Sequence, residues 1–161
     1  MNNILVIAPH PDDETLGCGG TLLREKQNGA KIHWLIVTSI LEKEGWKKDK
    51  ILKREREIKK VSNLFKFDSI NKLNLPTTKL DDIPISIIVQ QISSILNKVK
   101  PNIIFSPFCS DIHSDHKIVT QAVLSNLKWF RKPYIKKVLY YETLSETHIN
   151  FNKKIFNPNF F

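Results

Sequence analysis

The apolar run Ile4-Leu5-Val6-Ile7 stops on Ala8-Pro9-His10-Pro11-Asp12-Asp13-Glu14, and this junction constrains the fold more than any other stretch. The run is short, β-branched and closed by two prolines, so it reads as a buried strand ending in a rigid loop. Four titratable side chains at the end of a buried strand are costly to place without a use for them. His10 and Asp13 can turn toward one point as two ligands of a divalent cation. Acids at a helix start also suit the positive end of the macrodipole. Alone, the motif therefore fits either a metal site or a decorated helix N-terminus.

A second cluster, Asp111-Ile112-His113-Ser114-Asp115-His116, lies about a hundred residues on, after the apolar run Asn102-Ile103-Ile104-Phe105 and before a helical pattern. In an open α/β sheet, ligands converge outside the carboxyl ends of the strands. Two His-rich loops at two such ends favour the metal reading. A lone His116 on the face of Val119 and Val123 would read as a core histidine, but with the other cluster in place it reads as a ligand.

Pro9-His10-Pro11-Asp12-Asp13-Glu14 together with His113-Ser114-Asp115-His116 resembles the paired signature of the LmbE/PIG-L zinc-dependent N-deacetylases, which act on N-acetylglucosaminyl conjugates. The resemblance runs from the first strand to the last residues. It implies an α/β, Rossmann-like three-layer fold with a mostly parallel sheet and the metal site at the strands' carboxyl ends. It also implies Zn²⁺ held by His10, Asp13 and His116, with Asp12 as general base. His113 then stabilises the oxyanion or protonates the departing amine, and Asp115 orients His113 and raises its pKa. Glu14 supports the site from the helix start. Two histidines and a carboxylate also suit Fe²⁺ or another first-row divalent metal.

The intervening chain reads as helices and strands of one domain over residues 1–161. Thr15 to about Gly29 should be a helix. Its Gly17-x-Gly19 lacks the third glycine of a dinucleotide fingerprint, since Leu22 stands there, and His33-Trp34-Leu35-Ile36-Val37 ends in Thr38-Ser39 with no ribose-binding acid. The glycines instead suit close packing on the sheet. Lys50 to Phe67 reads as a helix with Ile51, Ile58, Val61 and Phe65 inward. Arg54 shares that stripe, either paired with Glu57 at its margin or pointing into a polar cavity. The resemblance implies the second, with Arg54 on the substrate sugar. Many family members carry an acid after the Leu-Pro of the weak strand Leu73–Pro76; here Thr77 stands there, a departure that bears on the sugar contact. Ile85, Ile88, Ile92, Ile95, Leu96 and Val99 form a plain amphipathic helix stopped by Lys100-Pro101. The last strand is expected over Val138–Glu142.

The balance of 25 Lys+Arg against 16 Asp+Glu, a net charge of +9, raises nucleic acid, an anionic surface or an acidic substrate as partners. Much of it lies in the mixed-sign stretch Lys43–Lys60, which reads as a solvated helix face. No RNA- or DNA-binding motif stands out, so a basic nucleic-acid-binding module ranks last and no nucleic-acid partner is expected. A two-metal phosphoesterase would want a bridging carboxylate and further ligands at another strand end, and none is placed there. The expected partner is a small-molecule amino-sugar conjugate. No secretory h-region or long apolar segment is present, so no membrane span is expected. Only Cys18 and Cys109 occur, both read as small buried residues rather than ligands, and a reducing cytoplasmic location follows as the expectation. The ending Asn157-Pro158-Asn159-Phe160-Phe161 is unusually apolar for a free terminus. It fits a chain cut short at the C-terminus or a tail packed on a partner, a homo-oligomer included.

Overall fold

The computed structural model describes residues 1–149 and 156–159. Five strands, β1 (Asn3–Ala8), β2 (Lys31–Ser39), β3 (Ser69–Pro76), β4 (Ile103–Pro107) and β5 (Lys137–Tyr141), form one sheet in the order β3-β2-β1-β4-β5. Every pairing is parallel. The helices are α1 (Asp13–Gln27), α2 (Lys48–Phe65), α3 (Ile85–Val99), α4 (Ser114–Ser125) and the single turn α5 (Leu144–Thr147).

Alternation along the central strands explains the layers. Successive side chains of a strand face opposite sides. Ile4, Val6 and Ala8 of β1 thus join Ile32, Trp34 and Ile36 of β2 in one core, closed by Leu22 of α1 with Ile58 and Phe65 of α2. Leu5, Ile7, Leu35, Val37 and Ile104 face the other way, onto Ile88, Ile92 and Leu96 of α3 and Val119, Ala122 and Val123 of α4. This is the expected three-layer α/β fold. The order reverses between β1 and β4, so the crevice outside the carboxyl ends of these two strands is the topological switch point.

Element boundaries differ from the sequence reading in instructive places. The third strand begins at Ser69, four residues before the expected Leu73. It is a polar, half-exposed edge strand with a register shift opposite Ile36/Thr38, and Asn74 has φ +54°, so its apolar signal is weak. The second helix spans Lys48–Phe65 and ends two residues early, where Lys66 takes the left-handed conformation. Helix α1 starts at Asp13 and is kinked at Cys18, whose φ is −142°.

That kink lets α1 lie against β5. A Cβ on Gly17 would stand 2.2 Å from Cδ2 of Tyr141 and 2.8 Å from the carbonyl oxygen of Glu142, and one on Gly19 would stand 3.2 Å from Phe65. Tyr141 is itself pinned by its hydroxyl, which donates to the Ile7 carbonyl at 2.9 Å. Gly17→Ala is therefore expected to destabilise by about 1–3 kcal/mol, as overpacking does. Thermal denaturation checks this, and an unchanged Tm would mean that α1 can move off β5 freely. The aromatic pair Phe160-Phe161 lies outside the described residues.

Candidate active site

The loop after β1 carries His10 and Asp12 and runs into α1 at Asp13, while the loop after β4 carries Asp111 and His113 and runs into α4, which contributes Asp115 and His116. The two motifs meet at the switch point. Asp13 Oδ2 accepts the backbone N–H of His10 at 2.8 Å and lies 3.3 Å from both His10 Nδ1 and His116 Nε2. The far nitrogen of each imidazole is held by a different carboxylate. His10 Nε2 meets Asp115 Oδ2 at 3.0 Å, and His116 Nδ1 meets Asp111 Oδ2 at 2.8 Å.

Those carboxylates are themselves fixed. Asp115 accepts from the backbone N–H groups of Thr78 at 2.8 Å and Leu80 at 3.2 Å. Asp111 accepts from the Thr147 hydroxyl at 2.7 Å, so α5 closes the site from the side of β5. Asp111 and Asp115 are both fully buried.

The charge states follow from these contacts. Burial alone would lower the pKa of His10, but Asp115 and Asp13 outweigh it and raise it to about 9. His116, opposed by burial and favoured by Asp111 and Asp13, is likewise raised to about 9. Burial pushes Asp13 upward, yet His10 and His116 hold it well below the usual carboxylate range. Burial and the neighbouring charge of Asp13 raise Asp12, offset in part by His10 and Arg54. Glu14, in the first turn of α1, accepts the Thr15 hydroxyl at 2.6 Å and is pushed by burial up to about 7.

His113 departs from the sequence reading. Its Nδ1 accepts the backbone N–H of Asp115 at 3.1 Å, capping α4, while the Asp115 carboxylate turns to His10. Burial and the positive charge of His10 push the His113 pKa down on balance, despite Asp115. It is a neutral imidazole whose proton sits on Nε2, because Nδ1 is an acceptor.

A cavity of about 400 Å³ opens over this cluster, lined by His10, Asp12, His113 and His116 on its floor and by Arg54, Trp46 and Thr77 on its walls. Arg54 lies near Glu57, its Nε at 3.4 Å, and also at the cavity. Asp111, Thr147 and the N–H groups of Thr78 and Leu80 were given no role from sequence. Asp111 stood in the second motif as a clue, five residues before His116; the others carried no local signal. Cys18 and Cys109 are both free thiols; Cys18 is buried as expected, but Cys109, in the loop after β4, is exposed.

Fold and site together define a Rossmann-like α/β domain whose titratable cluster sits at the carboxyl ends of its strands. The chain belongs to the PIG-L family, whose model, described as GlcNAc-PI de-N-acetylase, matches residues 5–127. A curated relative, the uncharacterized deacetylase YaiS of Escherichia coli K12, is 27% identical over 158 residues, 95% of this chain and 80% of that protein. The conserved protein TT1542 of Thermus thermophilus is 26% identical with a TM-score of 0.74, over 99% of this chain and 70% of that one. The N,N'-diacetylchitobiose deacetylase of Pyrococcus horikoshii shares the fold at 23% identity and a TM-score of 0.68, over 83% of this chain and 52% of that one. So does the teicoplanin deacetylase Orf2, solved in a zinc-inhibited form, at 18% identity and a TM-score of 0.71, over 88% of this chain and 67% of that one.

Proposed function

We propose that this deacetylase-family protein is a metal-dependent hydrolase that removes the N-acetyl group from an amino-sugar conjugate, with Zn²⁺ or a similar first-row ion held by His10, Asp13 and His116. The observation that carries the reading is His116 Nε2. It is buried, has no hydrogen-bond partner among the described residues, and lies beside Asp13 without hydrogen-bond alignment. Its Nδ1 is anchored on Asp111, the carboxylate–histidine pairing that orients metal ligands. A second donor group, His10 with His113 and Asp115, also has metal-holding spacing. There, however, the Asp115 oxygens already accept two backbone N–H groups and His113 Nδ1 is engaged, so the first set fits better.

A cation in that set supplies Lewis-acid polarisation of the scissile carbonyl and a water of lowered pKa. Asp12, whose carboxylate makes no hydrogen bond among the described residues, takes a proton from the attacking water as its oxygen bonds the acetyl carbon. His113 Nε2–H donates to the developing oxyanion. The proton on Asp12 passes to the amine nitrogen as the C–N bond breaks, releasing acetate and the free amine. Arg54 on the cavity wall positions the substrate's hydroxyls. The compartment proposed is a reducing cytoplasm, in keeping with two free thiols, and no helix among the described residues is long and apolar enough to cross a membrane.

The test is amine release from a panel of N-acetylglucosaminides, with chelated protein before and after Zn²⁺ or Fe²⁺ is restored. Metal-restored release from any member supports the reading. Turnover of an aryl phosphate with no amine release would overturn it in favour of a phosphoesterase. Asp111→Asn is expected to weaken metal affinity roughly 10- to 100-fold, the usual cost of losing such a partner. Competition against a chelating dye measures this, and wild-type affinity would exclude Asp111 from that role.

A further inference from the structure

The half of the chain that builds α3, α4, β4 and β5 is strongly one-signed. Residues 83–141 hold eight Lys and Arg but only two acids, Asp111 and Asp115, and both acids are buried in the site. The exposed charge of this half is therefore wholly basic, and apart from Lys117 beside the site it gathers at one end of the sheet. Lys100 lies just before β4, and Lys128, Arg131 and Lys136 lie between α4 and β5, all exposed. In a parallel sheet these positions fall at the amino ends of the strands, opposite the active site.

Within this basic end stand two bare aromatic rings. Trp129 is 80% exposed and Phe130 61% exposed. They meet edge-to-face at 5.9 Å, and the Arg131 guanidinium lies 5.7 Å from the Phe130 centroid. The segment is not a loose loop. Lys132 beside them is buried, with its ammonium donating to Ser93 Oγ at 3.0 Å and Asn97 Oδ1 at 2.7 Å, and the Tyr134 hydroxyl donates to the Leu96 carbonyl at 3.0 Å. A built turn thus presents an apolar wedge ringed by cations. None of Lys100, Lys128, Arg131 and Lys136 makes an ion pair among the described residues.

We propose that this end of the sheet docks on an anionic lipid surface, with Trp129 and Phe130 entering the headgroup region and the four basic residues meeting lipid phosphates. Tryptophan and phenylalanine favour that boundary, and cationic side chains snorkel outward from it. Each basic residue near such a surface strengthens partition about fivefold. Diffuse negative charge beneath an apolar layer is the complement of a cation-ringed wedge. β1 spans six residues at about 3.3 Å each, so the cavity opens on the aqueous side roughly 20 Å from the docked face. The proposal does not depend on the chemistry assigned to the site.

The test is co-sedimentation of the full chain with phosphatidylcholine vesicles, with and without phosphatidylglycerol. Preference for the anionic vesicles of about tenfold or more is expected, falling steeply with salt. Trp129→Ala/Phe130→Ala should lose about tenfold or more of that binding. The lipid-induced blue shift of tryptophan emission should vanish in Trp129→Phe. Both rings are exposed, so the variants should keep the wild-type Tm, which is measured alongside. Equal partition onto neutral and anionic vesicles would overturn the proposal, as would undiminished binding by the double variant. A wild-type oligomer that the double variant turns into monomer would make the wedge a subunit contact instead. Binding to duplex DNA without binding to vesicles would make the patch a nucleic-acid surface.

Discussion

On the proposed mechanism, Asp12→Ala should cut turnover roughly 10²- to 10⁴-fold without loss of metal binding, the effect expected when a general base is removed. The two halves of this outcome rest on separate observations. Asp12 borders the cavity, its carboxylate makes no hydrogen bond among the described residues, and its pKa is raised by burial and by Asp13. A carboxylate of raised pKa is the better proton acceptor, and Asp12 is placed to act on a water in the cavity. Retention of metal is expected because Asp12 belongs to neither convergent donor group, His10 with Asp13 and His116 or His10 with His113 and Asp115. Steady-state kinetics with metal analysis of the same sample checks both halves. Wild-type turnover in the variant would remove Asp12 from the base role; loss of metal along with activity would make it a ligand. Asp12→Asn separates charge from shape and should be as inactive as the alanine variant, since an amide cannot take the proton.

The same residues show how far the sequence carries. The two clusters were legible because each follows a short buried run, and a parallel sheet collects strand ends at one edge. The core was legible for a related reason: continuous apolar runs such as Ile4–Ile7 mark strands covered on both faces. Only the second half of the third strand was, Leu73–Pro76 of Ser69–Pro76, because at the sheet edge its polar residues face water and its first half resembles a loop. Nor could local reading foresee how the carboxylates pair. Proximity in sequence put Asp115 on His113, two residues away. At the start of α4, however, the His113 side chain caps the helix by accepting the backbone N–H of Asp115, while the Asp115 carboxylate crosses to His10 on the other motif. Asp111 serves His116 with help from Thr147 on α5. The His10–Asp115 pairing joins residues 105 positions apart, and only the fold sets it. Arg54 marks the boundary between the two cases: helical spacing gave its face, and the cavity gave that face a meaning.

The linkage between metal, protons and stability gives the other large effect. His10 and His116 are raised from 6.5 to about 9 in the fold without metal, because each imidazolium meets two carboxylates. The folded-state values exceed the unfolded ones, so the stabilisation is complete below pH 6.5 and is lost as pH rises through 9. A rise of that size corresponds to about 3 kcal/mol for one histidine acting alone. The pair shares Asp13, so the two together give less than twice that. Glu14, raised from 4.5 to about 7, acts with the same sign in a lower window. The Tm of chelated protein should therefore fall between pH 6.5 and 9. A metal held as proposed by His10, Asp13 and His116 must displace both imidazolium protons, so its binding should strengthen over the same interval. The Tm gain on adding Zn²⁺ should widen as pH rises, and calorimetry at pH 7 in buffers of different ionisation enthalpy should find up to two protons released per ion. His116→Ala should lose one of the protons and, with it, about half of the widening. A chelated-protein Tm that stays flat or climbs across this window would mean that the histidines are neutral in the empty fold. Metal binding without proton release would place the ion elsewhere.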